Sequence, residues 1–400
     1  MKRTYILTLL CFAAAFTAYL LPVSIWGKME TSAASYFNLL ADAFLHGRLY
    51  LIDPPATIDL TLHNGQWYVP FPPLPALLML PWVAAFGVET LNTVIFTALF
   101  GAANVALVFL ILSDLAARGW TQLNTNGNLW LTALFGVGSV HWYVSTLGQV
   151  WFAAQICTVT FVALAVYVAL RGGPAWLAGL MLGLAVAARP NVALSFPLLL
   201  GIVLMDRKPS LEGFRSINLR WGMQAALPVL LVAAALLAYN QARFGNPLDF
   251  GYENAVVNPR LQADLDTYGQ FHPRYILRNL RAMLFSLPVW DAEARRLTPD
   301  GDGLSLLITT PALIYLAWAR KRTPLVAGAW AAVGLLVIPL LLYYNTGWWQ
   351  FGYRFSLDFM IPIIVLLASA IRSPLSLLAR GLILAGVLVN LYGLVWWYRL

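Results

Sequence analysis

Chemistry in this sequence would have to come from a small set of side chains set among apolar runs. Asp42 lies in the segment Ser32 to Gly47, SAASYFNLLADAFLHG, where Phe37, Leu40, Ala41 and Phe44 share one helical face and Ser35, Asn38 and Asp42 the other. A carboxylate on the polar face of such a surface helix suits a general base for an incoming hydroxyl, or is a solvated polar-face residue. Glu30 is its rival and, as an acid just ahead of Ser32, also has a helix-dipole explanation. Asp53 and Asp59 are weaker candidates, each in proline or turn context. Arg189 interrupts an apolar stretch, where an ionisable group costs about 2.5 to 3.5 kcal/mol to insert and marks function by default; its plainer reading is an arginine snorkelling from a helix end. Arg354 sits between Tyr353 and Phe355, four residues before Asp358, so an i, i+4 ion pair is its plainer reading.

A second tier consists of residues that could contact a sugar by stacking and hydrogen bonding. His141, Trp142, Tyr143 and Gln149 fall at the turn between two apolar segments, and Trp348-Trp349 precede Tyr353. The aromatic belt of a membrane interface explains Trp and Tyr there equally well. Of this tier, with Tyr68, we carry His141, Gln149 and Tyr353 forward as candidate substrate contacts. Tyr68 follows the turn signal Asn64-Gly65 and precedes Pro70, Pro72, Pro73 and Pro75, which stiffen the chain where it returns to the membrane.

The elements that position these groups follow from composition. The 400 residues are 60% hydrophobic and 10% charged, with a mean hydropathy of +0.72, whereas soluble domains carry roughly 25% charged residues. Runs such as Tyr5 to Trp26, Leu91 to Ser113, Gly222 to Tyr239, Leu325 to Tyr344 and Gly381 to Trp397 reach the roughly 20 apolar residues needed to cross a hydrocarbon core. They must be helices, because backbone groups in lipid bond internally. The first exceeds the apolar core of a secretion signal and is read as a retained helix. Cys11 and Cys157 lie inside apolar runs with no metal-site or disulfide spacing.

A net charge of +8 does not indicate nucleic acid, because the basic residues collect beside membrane segments: Lys2-Arg3, Arg207-Lys208 to Arg220, Arg320-Lys321-Arg322 and Arg372 to Arg380. These ends are expected on the cytoplasmic side, which puts the polar segments 27–72, 241–303 and 345–358 on the extracytoplasmic side. Seven apolar segments precede Asp206, while two cytoplasmic ends demand an even number of crossings. One segment must fail to span, either 73–88 or part of the 175–205 stretch broken at Arg189-Pro190. The expectation is an all-α polytopic membrane protein, a single domain over residues 1–400, with about eleven transmembrane helices plus one partial segment and interfacial helices in the first outer loop. The second large loop, 241–303, carries a dense mixed-charge stretch from Arg260 to Glu293. It exceeds a typical connection and is read as a lid.

In this order the motifs resemble the C-type glycosyltransferase superfamily, in particular bacterial members related to protein O-mannosyltransferases and the lipid A aminoarabinose transferases. The resemblance rests on the interfacial helix after the first crossing; on Asn64, Gly65, Tyr68, Pro72, Pro73 and Leu74; on the glycine-spaced run Gly179 to Pro190; on Tyr239 to Tyr252; and on Phe351 to Phe355. Relatives commonly place a lysine before the Pro-Pro pair, where this chain has Phe71, and an acidic pair after the first helix, where it has Glu30 alone and then Asp42.

What the resemblance implies is transfer of a sugar from a polyprenyl phosphate carrier to an acceptor hydroxyl of a glycan, lipid or protein at the outer membrane surface. Asp42 or Glu30 would be the base, with Arg189 and Arg354 on the leaving phosphate, since a planar guanidinium matches phosphate oxygens. No organic cofactor is implied, and a divalent metal ion stays open. No nucleotide-binding glycine fingerprint is present, in keeping with a lipid-linked donor. Two other readings stand beside this one: a lipid or polysaccharide transporter, against which no second copy of the Arg189-Pro190 break is found, and a catalytically inactive relative acting as a binding subunit.

Overall fold

Inside hydrocarbon a peptide group has no water to bond, so each apolar run closes its hydrogen bonds as a helix. A computed structural model of the chain describes residues 2–206, 211–293 and 295–399. Helix α1 (Lys2–Ile25) is followed by an outer segment holding α2 (Tyr36–Leu45) and the hairpin β1 (Thr61–His63) with β2 (Gln66–Tyr68). The hairpin is antiparallel, Thr61 opposite Tyr68, and turns at Asn64-Gly65, both in left-handed conformation. This is the geometry an Asn-Gly pair favours.

Next come α3 (Leu74–Phe86), α4 (Thr93–Ala117), α5 (Thr125–Gly136), α6 (His141–Ser145), α7 (Val150–Leu170) and α8 (Ala175–Val186). A 3-10 turn over Pro190–Ser195 leads into α9 (Phe196–Asp206), and α10 (Leu211–Phe244) climbs to the second outer segment. That segment contains α11 (Pro259–Tyr268), α12 (Ile276–Leu284) and the hairpin β3 (Val289–Asp291) with β4 (Arg296–Thr298). Then follow α13 (Leu306–Thr309), α14 (Pro324–Leu342), a 3-10 turn over Arg354–Phe359 that enters α15 (Met360–Ala370), and α16 (Leu377–Tyr398). Side-chain caps sit where the sequence offers them, with Asn92 accepting from Ile95 N–H at 3.0 Å and Asn124 from Gly127 N–H at 2.9 Å.

The protein is an integral membrane protein of mostly helical fold. Among the described residues six helices are long and apolar enough to cross a membrane: Lys2–Ile25, Thr93–Ala117, Val150–Leu170, Leu219–Phe244, Pro324–Leu342 and Leu377–Tyr398. Any crossings beyond these would use shorter elements. Leu74–Phe86 and Ala175–Val186 fall well short of the roughly 20 residues a straight span needs. These are the two stretches singled out by charge parity, and they meet: the Leu74 N–H donates to the Ala187 carbonyl at 3.0 Å. Of the basic clusters used for orientation, Arg207 and Lys208 lie outside the described residues, as does the side chain of Arg215.

The broken helices are held by close backbone approach. A side chain at Gly179 of α8 would meet the Ala225 carbonyl of α10 at 1.9 Å, and one at Gly201 of α9 would meet the Pro324 carbonyl of α14 at 2.5 Å. Small residues at crossings are how membrane helices gain contact where no hydrophobic drive operates between them. Leucine at Gly179 has backbone, not a flexible side chain, to displace. Gly179→Leu is expected to destabilise the protein by about 1 to 3 kcal/mol, read as a lower unfolding temperature in detergent; an unchanged temperature would mean this crossing is not tight.

Candidate active site

A cavity of about 260 Å³ opens where the two outer segments meet the broken helices. Its walls come from the proline-stiffened return around Phe71 and Pro72, the break at Arg189 to Asn191, the second outer segment at Phe250, Tyr252, Gln270 and Phe271, the end of α14 from Tyr343 to Asn345, and Arg354-Phe355. Aromatic and apolar side chains predominate, with a few polar groups converging, as is usual for a ligand site.

Among the described residues that line this space the one carboxylate is Asp59. Its backbone is left-handed, φ 56°, a conformation that Asp tolerates better than most residues. Both outer segments hold it there. Asp59 N–H donates to the Val256 carbonyl at 2.8 Å, Val256 N–H returns a bond to the Leu60 carbonyl at 2.9 Å, and the Thr61 hydroxyl donates to the Gly251 carbonyl at 2.6 Å. From α2, the Tyr36 hydroxyl donates to the Ile58 carbonyl at 2.9 Å. Burial pushes the Asp59 carboxyl up to about 6, against the opposing pull of the Trp151 indole N–H and the Arg354 guanidinium. A carboxylate poised near the operating pH is what general base work requires.

The two cations differ in their commitments. Arg189 donates to Asp358 Oδ2 at 2.8 Å, and Asn191 Nδ2 donates to the same oxygen at 2.7 Å. Asp358 is 2% exposed, and its pairing with Arg189 replaces the local pair with Arg354 that the sequence spacing suggested. Arg354 makes no ion pair among the described residues. Its Nη1 donates to Gln155 Oε1 at 3.1 Å and its Nε to the Gly347 carbonyl at 3.3 Å, and it lies 4.8 Å from the Phe355 ring and 5.4 Å from the Phe152 ring. Gln350 sets its backbone, accepting from Arg354 N–H at 2.9 Å and donating to the Asp302 and Thr346 carbonyls. The site therefore holds one neutralised guanidinium and one with charge to spare.

Opposite them, the second outer segment is laced to the end of α14. Tyr344 N–H donates to the Gln270 carbonyl at 3.0 Å, His272 N–H to the Leu342 carbonyl at 2.8 Å, and Asn279 Nδ2 to the Leu341 and Tyr343 carbonyls at 3.0 and 2.7 Å. Arg278 bridges Asp264 and the Tyr344 carbonyl. Carbonyls that a helix end leaves unpaired are thus satisfied by α12 and its approach, and Gln270 and Phe271 are fixed as cavity wall.

Of the residues singled out by sequence, Arg189, Arg354 and the weaker candidate Asp59 line this cavity, and Asp42, Glu30, Tyr68, His141, Gln149 and Tyr353 do not. Asp42 is partly exposed on α2 and faces Arg48 at 3.7 Å and His46 at 3.6 Å. Glu30 is exposed ahead of that helix. Tyr68 is buried beside Phe244, its hydroxyl on Gln66 Oε1 at 2.7 Å. His141 is fully buried in a polar knot of the helix core, 3.1 Å from the Tyr19 hydroxyl and 3.3 Å from Asn104 Nδ2, because the turn that carries it folds inward between α1 and α4. Gln149 precedes α7 with its Oε1 unbonded, and Tyr353 points into protein with an unbonded hydroxyl. The residues that sequence reasoning passed over are Asn191, Tyr252, Gln270, Tyr343 and Asn345, with Asp59 placed too low. Among the described residues no group of three or more His, Cys, Asp or Glu side chains could hold a metal ion.

No protein family model and no curated protein matches the sequence. Solved structures do match. The crystal structure of ArnT from Cupriavidus metallidurans bound to undecaprenyl phosphate aligns with 94% of this chain at a TM-score of 0.52 and 14% identity. The chain shares the fold of that ArnT. It spans 62% of the length of that ArnT. The oligosaccharyltransferase AglB from Archaeoglobus fulgidus, in complex with an inhibitory peptide and a dolichol phosphate, aligns with 97% of this chain and 55% of its own at a TM-score of 0.45 and 12% identity. Within this fold Arg189 depends on its buried partner. Removing one member of a buried pair costs about 3 kcal/mol or more, so Asp358→Asn is expected to lower the unfolding temperature well beyond the change caused by the exposed Glu30→Gln. Equal melting of the two variants would show the pair to be dispensable.

Proposed function

We propose that this chain is a membrane glycosyltransferase that moves a sugar from a polyprenyl phosphate to an acceptor hydroxyl on the extracytoplasmic side. The observation that carries the reading is the cavity itself, where a carboxylate raised to about 6 and an unpaired guanidinium face one aromatic space at the junction of outer segments and broken helices. The shared fold with ArnT, solved with undecaprenyl phosphate, supports the same donor class.

In this reading the carrier's tail lies along the apolar side of the cavity, past Phe71, Phe271 and Leu340, and its phosphate meets Arg354, with the paired Arg189 behind. Asp59 accepts the proton of the acceptor hydroxyl as its oxygen attacks the sugar's anomeric carbon. The bond from that carbon to the phosphate oxygen breaks, and the electron pair leaves on the phosphate, where positive charge held in a dry site stabilises it more than it would in water. The role of base passes from Asp42 or Glu30 to Asp59, because neither of the former lines the cavity. The second outer segment forms one wall, and in this reading it is the lid. Membrane lipids surround the whole, and nucleic acid has no part.

The test is release of carrier phosphate from a labelled polyprenyl-phosphate sugar. Asp59→Asn is expected to lower turnover about 10²- to 10⁴-fold, whereas Asp42→Asn keeps it within a few fold. The pH profile carries the sign: a base must be deprotonated, so activity is lost below about pH 6 as the Asp59 carboxyl takes up its proton, and levels off above it. Full turnover in Asp59→Asn, or a profile flat from pH 5 to 8, refutes the assignment.

A further inference from the structure

The charges around the cavity restrict the sugar that it can receive. The groups that could answer a charged substituent are few and already assigned. Asp358 holds Arg189 and Asn191 on Oδ2 and does not line the cavity. Burial holds the Tyr252 phenol well above its ordinary range, so it stays neutral. Asp59 is the only unpaired carboxylate lining the cavity among the described residues, and Arg354 the only unpaired guanidinium. If Arg354 answers the phosphate and Asp59 the acceptor's proton, nothing ionic is left over for the sugar.

We infer that the donor sugar is neutral, a hexose or pentose bearing hydroxyls and no amine or carboxylate, an inference that rests on the donor reading above. An ammonium on the ring would have to take Asp59, disabling the base, or stand unpaired near two guanidinium groups. A ring carboxylate would compete with the phosphate for Arg354. An unpaired charge taken out of water is far more costly than a hydroxyl that finds a hydrogen bond. Hydroxyls are well served. Asn345 has its Oδ1 committed to the Gly347 and Trp348 N–H groups at 2.7 and 3.0 Å, which leaves its amide nitrogen to donate. Gln270 stands across the cavity, and the faces of Trp151 and Phe250 suit the apolar C–H side of an uncharged ring.

The experiment compares three donors on one polyprenyl phosphate carrier at pH 7.5: a neutral pentose, the corresponding amino-pentose and a uronic acid. Carrier release is read in membrane vesicles containing the full chain, which supply lipid and acceptors, with Asp59→Asn vesicles as background. Displacement of a fluorescent polyprenyl phosphate by the unlabelled, sugar-free carrier is measured in parallel. The neutral donor is expected to be consumed at least tenfold faster than either charged one. Equal or faster consumption of the amino-pentose or uronic acid overturns the inference while leaving the transfer reading in place. Failure of the bare carrier to displace the probe, or no release from any donor, overturns the transfer reading and the inference with it.

Discussion

An ion held away from water must be met by a partner or by a ring of dipoles, and around the cavity of this protein that requirement is met unevenly. Arg189 interrupts a membrane helix and is matched by Asp358 and, through it, Asn191. Arg354 receives only an amide oxygen, a backbone carbonyl and two aromatic faces. The first arrangement has a counter-charge, though Arg189 Nε and Asp358 Oδ1 stay buried without partners, and the second has none among the described residues. A guanidinium held by dipoles alone keeps most of its field for an incoming anion, and the ion pair next to it anchors the break from which the site is built. The unevenness separates support from function without any appeal to a relative.

The same logic explains why the break exists. A continuous helix through Arg189 would bury the guanidinium along a smooth apolar face. Stopping α8 at Val186 and restarting at Pro190 frees Ala187 to bond the returning chain at Leu74 and brings Asn191 alongside Asp358. Non-helical backbone within apolar segments is tolerated where it is enclosed by protein or lines a cavity, and Arg189 to Asn191 line one here. Glycines at the α8–α10 and α9–α14 crossings let the two half-helices sit close enough to hold that shape.

Much of this was legible in the sequence because it follows from local cost. An arginine followed by proline within an apolar run is expensive wherever it lands, so Arg189-Pro190 reads as a break, and α8 does end at Val186. The amphipathic segment from Ser32 reads as a surface helix, and α2 does bury Phe37, Leu40 and Ala41, but Ser35 and Asn38 of the expected polar face are buried too. The proposed base was harder to read. Asp59 has no signature along the chain beyond turn context, and its character comes from residues far away: Trp151, Val256 and Arg354. Asp42 had the better local pattern and the poorer surroundings. His141 failed for the opposite reason, since its turn looks like an exposed interface in sequence but is roofed by Tyr19 and Asn104 from helices that periodicity cannot place.

The interfacial helix therefore has a different task from the one its polar face suggests. Its Tyr36 reaches the Ile58 carbonyl, one residue ahead of Asp59, and its apolar face packs under the hairpin and α3, with Leu51, Leu60 and Met79 in the same buried cluster. It acts as a platform: it supports the loop that carries Asp59 from one side through Tyr36, and the second outer segment holds that loop through Val256 and Gly251. A carboxylate set by two separate loops stays partly dehydrated only while both are docked. Its raised proton affinity is then a property of the two docked segments, and any displacement of the second would return Asp59 toward ordinary carboxylate behaviour, linking their docking to the readiness of the proposed base.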